Sequence, residues 1–164
     1  MQECKINPKA LLGQCPQAQA LIHGSAKYPD IRGKVMFYQT DYGVLVAAEV
    51  MGLPYRMNQC DRPVFGFHIH EGERCLGNAE DPFAEVGQHY NPEGYPHPYH
   101  AGDLPPLLGN SGYALQVFLT DRFCVREILG RTMIIHSMPD DFTSQPSGNA
   151  GEKIACGVIR ACGN

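Results

Sequence analysis

Apolar and polar residues alternate along several short runs of the chain, and glycine or proline interrupts the sequence between most of them. Successive side chains of a β-strand point to opposite faces, so such alternation predicts strands with one buried face. The runs with this pattern, or with many β-branched residues, are ALIHGSAK, RGKVMFYQT, GVLVAAEV, VFGFHIHE, GYALQVFLT, RTMIIHS and KIACGVIR. Their spacing is typical of an antiparallel sandwich or barrel. The pattern therefore predicts an all-β domain.

Length and composition fit one domain. The chain has 164 residues, of which 43% are hydrophobic, and its 18 glycines and 13 prolines indicate many turns. A chain of this size can bury a full core. We expect residues 18–164 to form the domain and residues 1–17, which carry few strand signals, to form a tail or an added edge. There is no basic stretch suited to nucleic acid and no apolar window of membrane-spanning length, so neither partner is expected.

Histidines are the most informative polar residues. Six of the seven lie within residues 68–136, and only His23 has no companion. His68 and His70 are two residues apart on a predicted strand, so they point to the same face and can bind one ion together. Imidazole is a good ligand for copper, zinc, iron and nickel, so this pair alone leaves the metal open.

A second group lies in a segment rich in proline and glycine, which predicts a ligand-bearing loop rather than a helix. His97, His100 and Asp103 follow one another at intervals of three residues. With one further histidine they would complete a tetrahedral zinc site. His89 lies between the two groups and could serve either metal, and His136 ends an apolar run that would deliver it from another strand.

Five motifs give the chain a family resemblance. FGFHIHEG, GQHYNP, HAGDLP, GRTMIIHSMPDD and GNAGEKIACGVI, in this order, resemble the Cu,Zn superoxide dismutase family, and the match runs from about Ala18 to Ile159. The resemblance implies an eight-stranded antiparallel Greek-key β-barrel or sandwich with long metal-binding and electrostatic loops. It also implies copper and zinc as cofactors and superoxide as substrate, converted to dioxygen and hydrogen peroxide by cycling between Cu(II) and Cu(I). A homodimer is common in the family, although no feature of this sequence selects an interface.

The resemblance also implies a role for individual residues. Copper would be bound by His68, His70, His89 and His136, and zinc by His89, His97, His100 and Asp103. His89 would bridge the two metals as an imidazolate and also carry a proton to the product. Asp140 occupies the position where the family has a carboxylate that hydrogen-bonds His68 and His97.

Two features depart from the family pattern. Lys153 stands four residues after the GN of GNAG, where the family usually has an arginine beside copper. Lysine keeps the charge but loses the planar fork that orients an anion, so we expect a slower dismutase rather than an inactive one. In many family members the loop after the last histidine ligand is long and charged and helps to focus the anion, whereas here the loop of residues 137–152 is short and has three acids and no lysine or arginine. The net charge of the chain is −4. Attraction of an anion then depends on Lys153 and the metals.

Ser147 has two interpretations. It occupies the position where the family has a small hydroxyl residue that narrows the channel to copper. It is equally well explained as an ordinary serine of a turn.

The chain has seven cysteines. The resemblance implies a disulfide between Cys75 and Cys156. No partner can be assigned to Cys4, Cys15, Cys60, Cys124 or Cys162, and the absence of a CxxC motif gives no indication of a thiolate zinc site.

The first residues lack the apolar core of a signal peptide. If Met1 is the natural start, we expect the protein in the cytoplasm, and otherwise an exported protein.

Two functions follow as hypotheses. The first is a superoxide dismutase with copper and zinc. The second is a non-enzymatic protein of the same fold that binds zinc or copper. Only Lys153 and the shortened loop of residues 137–152 favour it. His136 favours the enzyme, because a protein without copper chemistry has no evident need for a fourth copper ligand.

Overall fold

The structure is a computed structural model and describes residues 7–55 and 63–163, so Cys4 and Cys60 lie outside the described residues. The described ranges contain nine strands, two short α-helices and one 3₁₀ turn. They are α1 (Pro8–Leu12), β1 (Ala18–Gly24), β2 (Arg32–Thr40), β3 (Gly43–Met51), β4 (Val64–Phe65), β5 (Phe67–His70), the 3₁₀ turn (Ala84–Val86), β6 (Leu107–Leu108), β7 (Tyr113–Thr120), α2 (Val125–Ile128), β8 (Thr132–His136) and β9 (Lys153–Ala161).

Seven strands form one antiparallel sheet in the order β5-β8-β9-β1-β2-β3-β7, and β4 pairs with β6. β6 also packs against β7. β4 and β5 are separated by Gly66 alone, so counting them as one strand gives eight strands that close on themselves. The connections from β3 to β4 and from β7 to β8 join strands that are not neighbours, as in a Greek key. The predicted all-β Greek-key barrel is confirmed.

All seven runs singled out in the sequence contain strands. Their ends differ from the strand boundaries by a few residues at most, and VFGFHIHE is split at Gly66. β6 was not predicted, because two residues are too short to show an alternating pattern.

Alternate residues of the strands point inward and form the main core. Phe37, Phe65 and Phe67 are its largest fully buried side chains. A second, smaller cluster lies on the outside of β8 and β9 and consists of Phe83, Val86, Ile134 and Cys156. This outer cluster fixes the loop after β5 against the sheet, because Phe83 and Val86 belong to that loop.

Residues 7–17 carry one short helix. Asn7 caps α1 by accepting a hydrogen bond from the Ala10 N–H at 3.2 Å. Leu11 packs against the cluster of Tyr38, Leu45 and Ala47 on the outer face of the sheet. The division of the chain at residue 18 stays a prediction.

Candidate metal centre

β5 presents histidines on one face and core residues on the other. Phe67 and Ile69 belong to the main core, whereas His68 and His70 alternate with them and point away from it. All four side chains are buried. One short strand thus supplies two imidazoles to a single site, as its alternation predicted.

The loop after β5 returns to lie along the free edge of this strand. The Tyr90 N–H donates to the Ile69 carbonyl at 2.8 Å, and the Ile69 N–H donates to the Gly102 carbonyl at 2.9 Å. These backbone bonds set His89 opposite His70 and Asp103 opposite His68. Two distant loop positions therefore arrive beside the strand histidines through main-chain pairing.

Two groups of ligand atoms result, and in each group the atoms lie within 4.8 Å of one another. The first group consists of His68, His70, His89 and His136, and the second of His89, His97, His100 and Asp103. His89 belongs to both, and every member is buried. The structure thus brings together each predicted set of residues.

Four histidines use one ring nitrogen to bind a protein acceptor. His68 Nε2 and His97 Nε2 contact the two oxygens of Asp140 at 2.7 and 2.9 Å. His70 Nδ1 lies 2.9 Å from the Gly87 carbonyl and His136 Nδ1 lies 3.3 Å from the Gly151 carbonyl. Such contacts fix the tautomer and orientation of metal-binding imidazoles.

The opposite ring nitrogens point into the two groups. Among the described residues, His68 Nδ1 and His89 Nε2 are buried without a hydrogen-bond partner, and His97 Nδ1 lies close to the Asp103 carboxylate without forming a hydrogen bond. His70 Nε2 and His136 Nε2 face each other at 3.3 Å. A buried nitrogen without a partner costs free energy that a metal ion would recover. The donor set therefore fits metal at both positions.

Asp103 organises the second group. Its carboxylate lies 2.7 Å from His89 Nδ1, 3.0 Å from His97 Nδ1 and 3.2 Å from His100 Nδ1. Three imidazole nitrogens and one carboxylate oxygen are a donor set for tetrahedral zinc. Because His89 Nδ1 faces this group while its Nε2 faces the first, one ring serves both.

The ionisation of the site favours metal binding. Burial lowers the pKa of His68 and His70, and it lowers the pKa of His136 to about 3. Burial by itself would raise the pKa of Asp140, but hydrogen bonds from two histidine rings and a backbone N–H outweigh it and hold that pKa well below its usual range. Neutral imidazoles and an ionised carboxylate are the forms that a metal site requires.

The family model for copper/zinc superoxide dismutase matches residues 31–159 of this chain. The chain belongs to the copper/zinc superoxide dismutase family. It is 34% identical to "Superoxide dismutase [Cu-Zn] 2" of Aquifex aeolicus over 146 residues, which cover 80% of each chain. It is 34% identical to "Superoxide dismutase [Cu-Zn]" of Legionella pneumophila over 149 residues, which cover 86% of this chain and 85% of the relative.

A solved structure is also similar. It is a double mutant of a SOD-like protein from Bacillus subtilis, with a TM-score of 0.70 and 26% sequence identity, covering 87% of this chain and 97% of the other.

Membership of the copper/zinc superoxide dismutase family settles the activity. The protein is a superoxide dismutase that converts superoxide to dioxygen and hydrogen peroxide, with copper and zinc as its cofactors. The predicted enzyme is confirmed, and the alternative of a non-enzymatic metal-binding protein is not favoured. No helix among the described residues is long and apolar enough to cross a membrane.

The disulfide expected from the resemblance is present. Cys75 and Cys156 are joined with a Cα–Cα distance of 5.7 Å across 81 residues of sequence. Both cysteines pack with Phe83 in the outer cluster. Of the other described cysteines, Cys15, Cys124 and Cys162 are thiols.

Lys153 begins β9 directly opposite His136. Its side chain is 20% exposed, and its ammonium group binds the carboxylate of Asp81, which the sequence did not single out. Ser147 is half-buried in the turn that precedes Gly148.

Two further residues support the site without having been predicted. Arg122 Nη1 donates to the carbonyls of Pro98, His100 and Asp103, at 2.9, 3.0 and 3.2 Å. Gly148 has a φ of +70° and lies against Asp140, with no room for a side chain. Arg122 shows no sequence signal of its own. Gly148 shows one only as the first glycine of the GNAG motif.

Proposed function

We propose that the first group binds copper and the second binds zinc, with His89 shared between them. The observation that carries this assignment is the shared ring. His89 Nε2 is buried without a partner on the side of the all-histidine group, and His89 Nδ1 faces the group that contains Asp103. Three imidazoles with one carboxylate suit zinc, and four imidazoles suit copper.

Copper bound in the first group would supply the redox chemistry, taking one electron from a first superoxide and giving it to a second. The protein residues must then hold the ligands still while the charge of the ion changes. His70 and His136 are held through backbone carbonyls, and His68 is held through Asp140. Oriented imidazoles of this kind reduce the rearrangement that accompanies each electron transfer.

Asp140 ties the two groups together. One carboxylate oxygen contacts His68 of the first group and the other contacts His97 of the second. One carboxylate therefore orients a ring of each group. We assign Asp140 the role of positioning both rings, in agreement with the expectation from the family.

Formation of hydrogen peroxide from superoxide consumes two protons. We propose that His89 Nε2 would hold one of them whenever copper is not bound to it, because this nitrogen lies inside the first group and no protein group occupies it. The opposite nitrogen stays on the Asp103 side, so the ring keeps its position when Nε2 gains or loses a proton.

Superoxide is a small anion, and a chain of net charge −4 must attract it through local positive charge. We propose that Lys153 supplies this charge. Its Cα pairs with that of His136, and its side chain is partly exposed, so it stands at the entrance to the first group. Ser147 is half-buried in a turn that shortly precedes Lys153 in the sequence. We propose that it narrows the channel leading to the first group.

Reconstitution of the metal-free protein tests the assignment. The apoprotein is loaded with zinc, titrated with copper, and followed by superoxide decay after pulse radiolysis. Activity should rise to saturation at one copper per chain, and His68→Ala should abolish it while leaving zinc bound. Tight copper binding without turnover, or loss of zinc from His68→Ala, would contradict the proposal.

The expected homodimer, the lack of nucleic-acid and membrane partners, and the dependence of the compartment on Met1 stay predictions.

A further inference from the structure

We propose that Asp81 competes with superoxide for Lys153. The carboxylate of Asp81 binds the ammonium group of Lys153 and thereby limits the rate of anion capture. This inference rests on the proposed role of Lys153. It gives a loop carboxylate outside both ligand groups a defined effect on the reaction.

The contact is direct. Asp81 Oδ2 lies 2.5 Å from Lys153 Nζ, across 72 residues of sequence. The Lys153 side chain is 20% exposed and that of Asp81 is 39% exposed, so the pair is accessible from solvent. An anion that approaches Lys153 therefore meets a cation whose charge is already compensated.

Asp81 is held in place for this contact. Its Oδ1 accepts a hydrogen bond from the Phe83 N–H at 3.0 Å, and its backbone N–H donates to the Asn78 side chain at 2.9 Å. Phe83 in turn is buried in the outer cluster beside the Cys75–Cys156 disulfide. With Oδ1 engaged by the loop, the other oxygen of the carboxylate is aimed at Lys153 at little further cost in side-chain entropy.

The consequence for capture follows from the charges nearby. Steering of a small anion depends on uncompensated positive potential at the channel. The loop of residues 137–152 contributes no lysine or arginine, so the Asp81 carboxylate compensates the charge on which we propose that capture depends. An ammonium group has three donors, so Lys153 retains donors for an incoming anion while Asp81 stays bound.

Asp81→Asn in the copper- and zinc-loaded protein tests the inference. Asparagine keeps the oxygen that accepts from Phe83 N–H but removes the charge. The control is Glu80→Gln, which removes the same charge from the adjacent position, where the described residues show only a hydrogen bond from the Glu80 backbone N–H to Asn78. At low ionic strength, Asp81→Asn should raise the rate constant by about twofold or more relative to Glu80→Gln, with unchanged metal content.

A second readout does not require turnover. Azide binding to the copper-loaded protein, followed by absorption, should tighten by a similar factor in Asp81→Asn and not in Glu80→Gln. In a Lys153→Gln background, Asp81→Asn should have no effect beyond that of Glu80→Gln.

The outcomes separate the two proposals. Equal rates and equal azide affinities in Asp81→Asn and Glu80→Gln, or a slower Asp81→Asn enzyme, would overturn the role of Asp81. A rate and an azide affinity that do not respond to Lys153→Gln would instead overturn the proposed role of Lys153, and the role of Asp81 with it.

Discussion

Gly148 lies directly against the carboxylate of Asp140, so that a Cβ atom on Gly148 would overlap Asp140 Oδ1 and stand 2.7 Å from His97 Nε2. Its φ of +70° is also in the left-handed region that side chains disfavour. The bridge between the two ligand groups therefore depends on a glycine that has no side chain and whose main chain pairs with Ser144 and Asp141.

Gly148→Ala should consequently displace Asp140 and weaken binding of both metals. Gly130→Ala is a matched control. Gly130 has a φ of +82°, and no described atom lies within 4 Å of the position that a Cβ atom would take. The control should lose only the backbone cost of about 1–2 kcal/mol and keep its metals. Chelator competition would measure the metal affinities, and equal affinities in the two variants would show that the contact with Asp140 is unimportant.

Arg122→Gln should weaken zinc binding by about 10–100-fold, because the guanidinium group holds three carbonyls of the loop that carries His97, His100 and Asp103. Asp103→Ala, which removes a proposed zinc ligand, should weaken zinc binding further. Zinc affinity measured with a chromophoric chelator gives the comparison. Arg126→Gln, at an exposed arginine of α2, is the control and should leave zinc affinity unchanged. A wild-type affinity in Arg122→Gln would refute the positioning role.

Lys153→Arg should raise the dismutation rate constant at low salt by roughly twofold or more, since guanidinium offers several donors in a fixed plane to an incoming anion. The advantage should shrink as ionic strength rises, because salt screens steering. Pulse radiolysis over a series of salt concentrations measures both effects. An unchanged or lower rate would count against the view that anion orientation limits this enzyme.

Reduction of the Cys75–Cys156 disulfide should destabilise the metal-free protein by about 2–4 kcal/mol, because the bridge closes a long loop. Urea unfolding with and without a thiol reductant gives this value. Cys15→Ser removes a cysteine that is not bridged and should respond to the reductant as the wild type does. A Cys75→Ala/Cys156→Ala variant that still responds to the reductant would indicate a different origin for the effect.

The metal-free protein should lose stability in acid. His68, His70 and His136 have a pKa below the ordinary value of 6.5 in the folded state, chiefly because they are buried, and that of His136 lies at about 3. As the pH falls, these histidines bind protons in the unfolded chain before they do so in the folded protein. The free energy of unfolding is therefore unaffected by them above pH 6.5 and decreases as the pH falls towards 3. Urea midpoints of the apoprotein across this range test the sign. A midpoint that stays constant between pH 7 and pH 5 would disagree with it.

Much of the fold could be predicted from local pattern. Alternation located seven strand-bearing runs, because burial of one face of a sheet imposes a period of two on the sequence. It missed β6, which is too short to show a period, and the pattern by itself did not give the strand order. The Greek-key order came from the family resemblance.

The site divides in the same way. The spacing of His68 and His70 on a strand indicated a shared ligand face from the sequence alone, and the five motifs supplied the remaining ligand set. The contacts that Asp81, Arg122 and Gly148 make around the site could not be predicted. Asp81 and Lys153 are 72 residues apart, and Arg122 and Gly148 reach the metal loop from other segments.

By itself, the sequence determined which residues alternate on strands and which histidines and acids are available as ligands, since these depend on residue type and short spacing. Only the tertiary structure decided that the Asp81 carboxylate binds Lys153, that Arg122 hydrogen-bonds the loop of His97, His100 and Asp103, and that a glycine makes room for Asp140. The first two contacts join separate segments and the third lies within one loop, but all three depend on how long loops fold back onto the barrel, which no local pattern records.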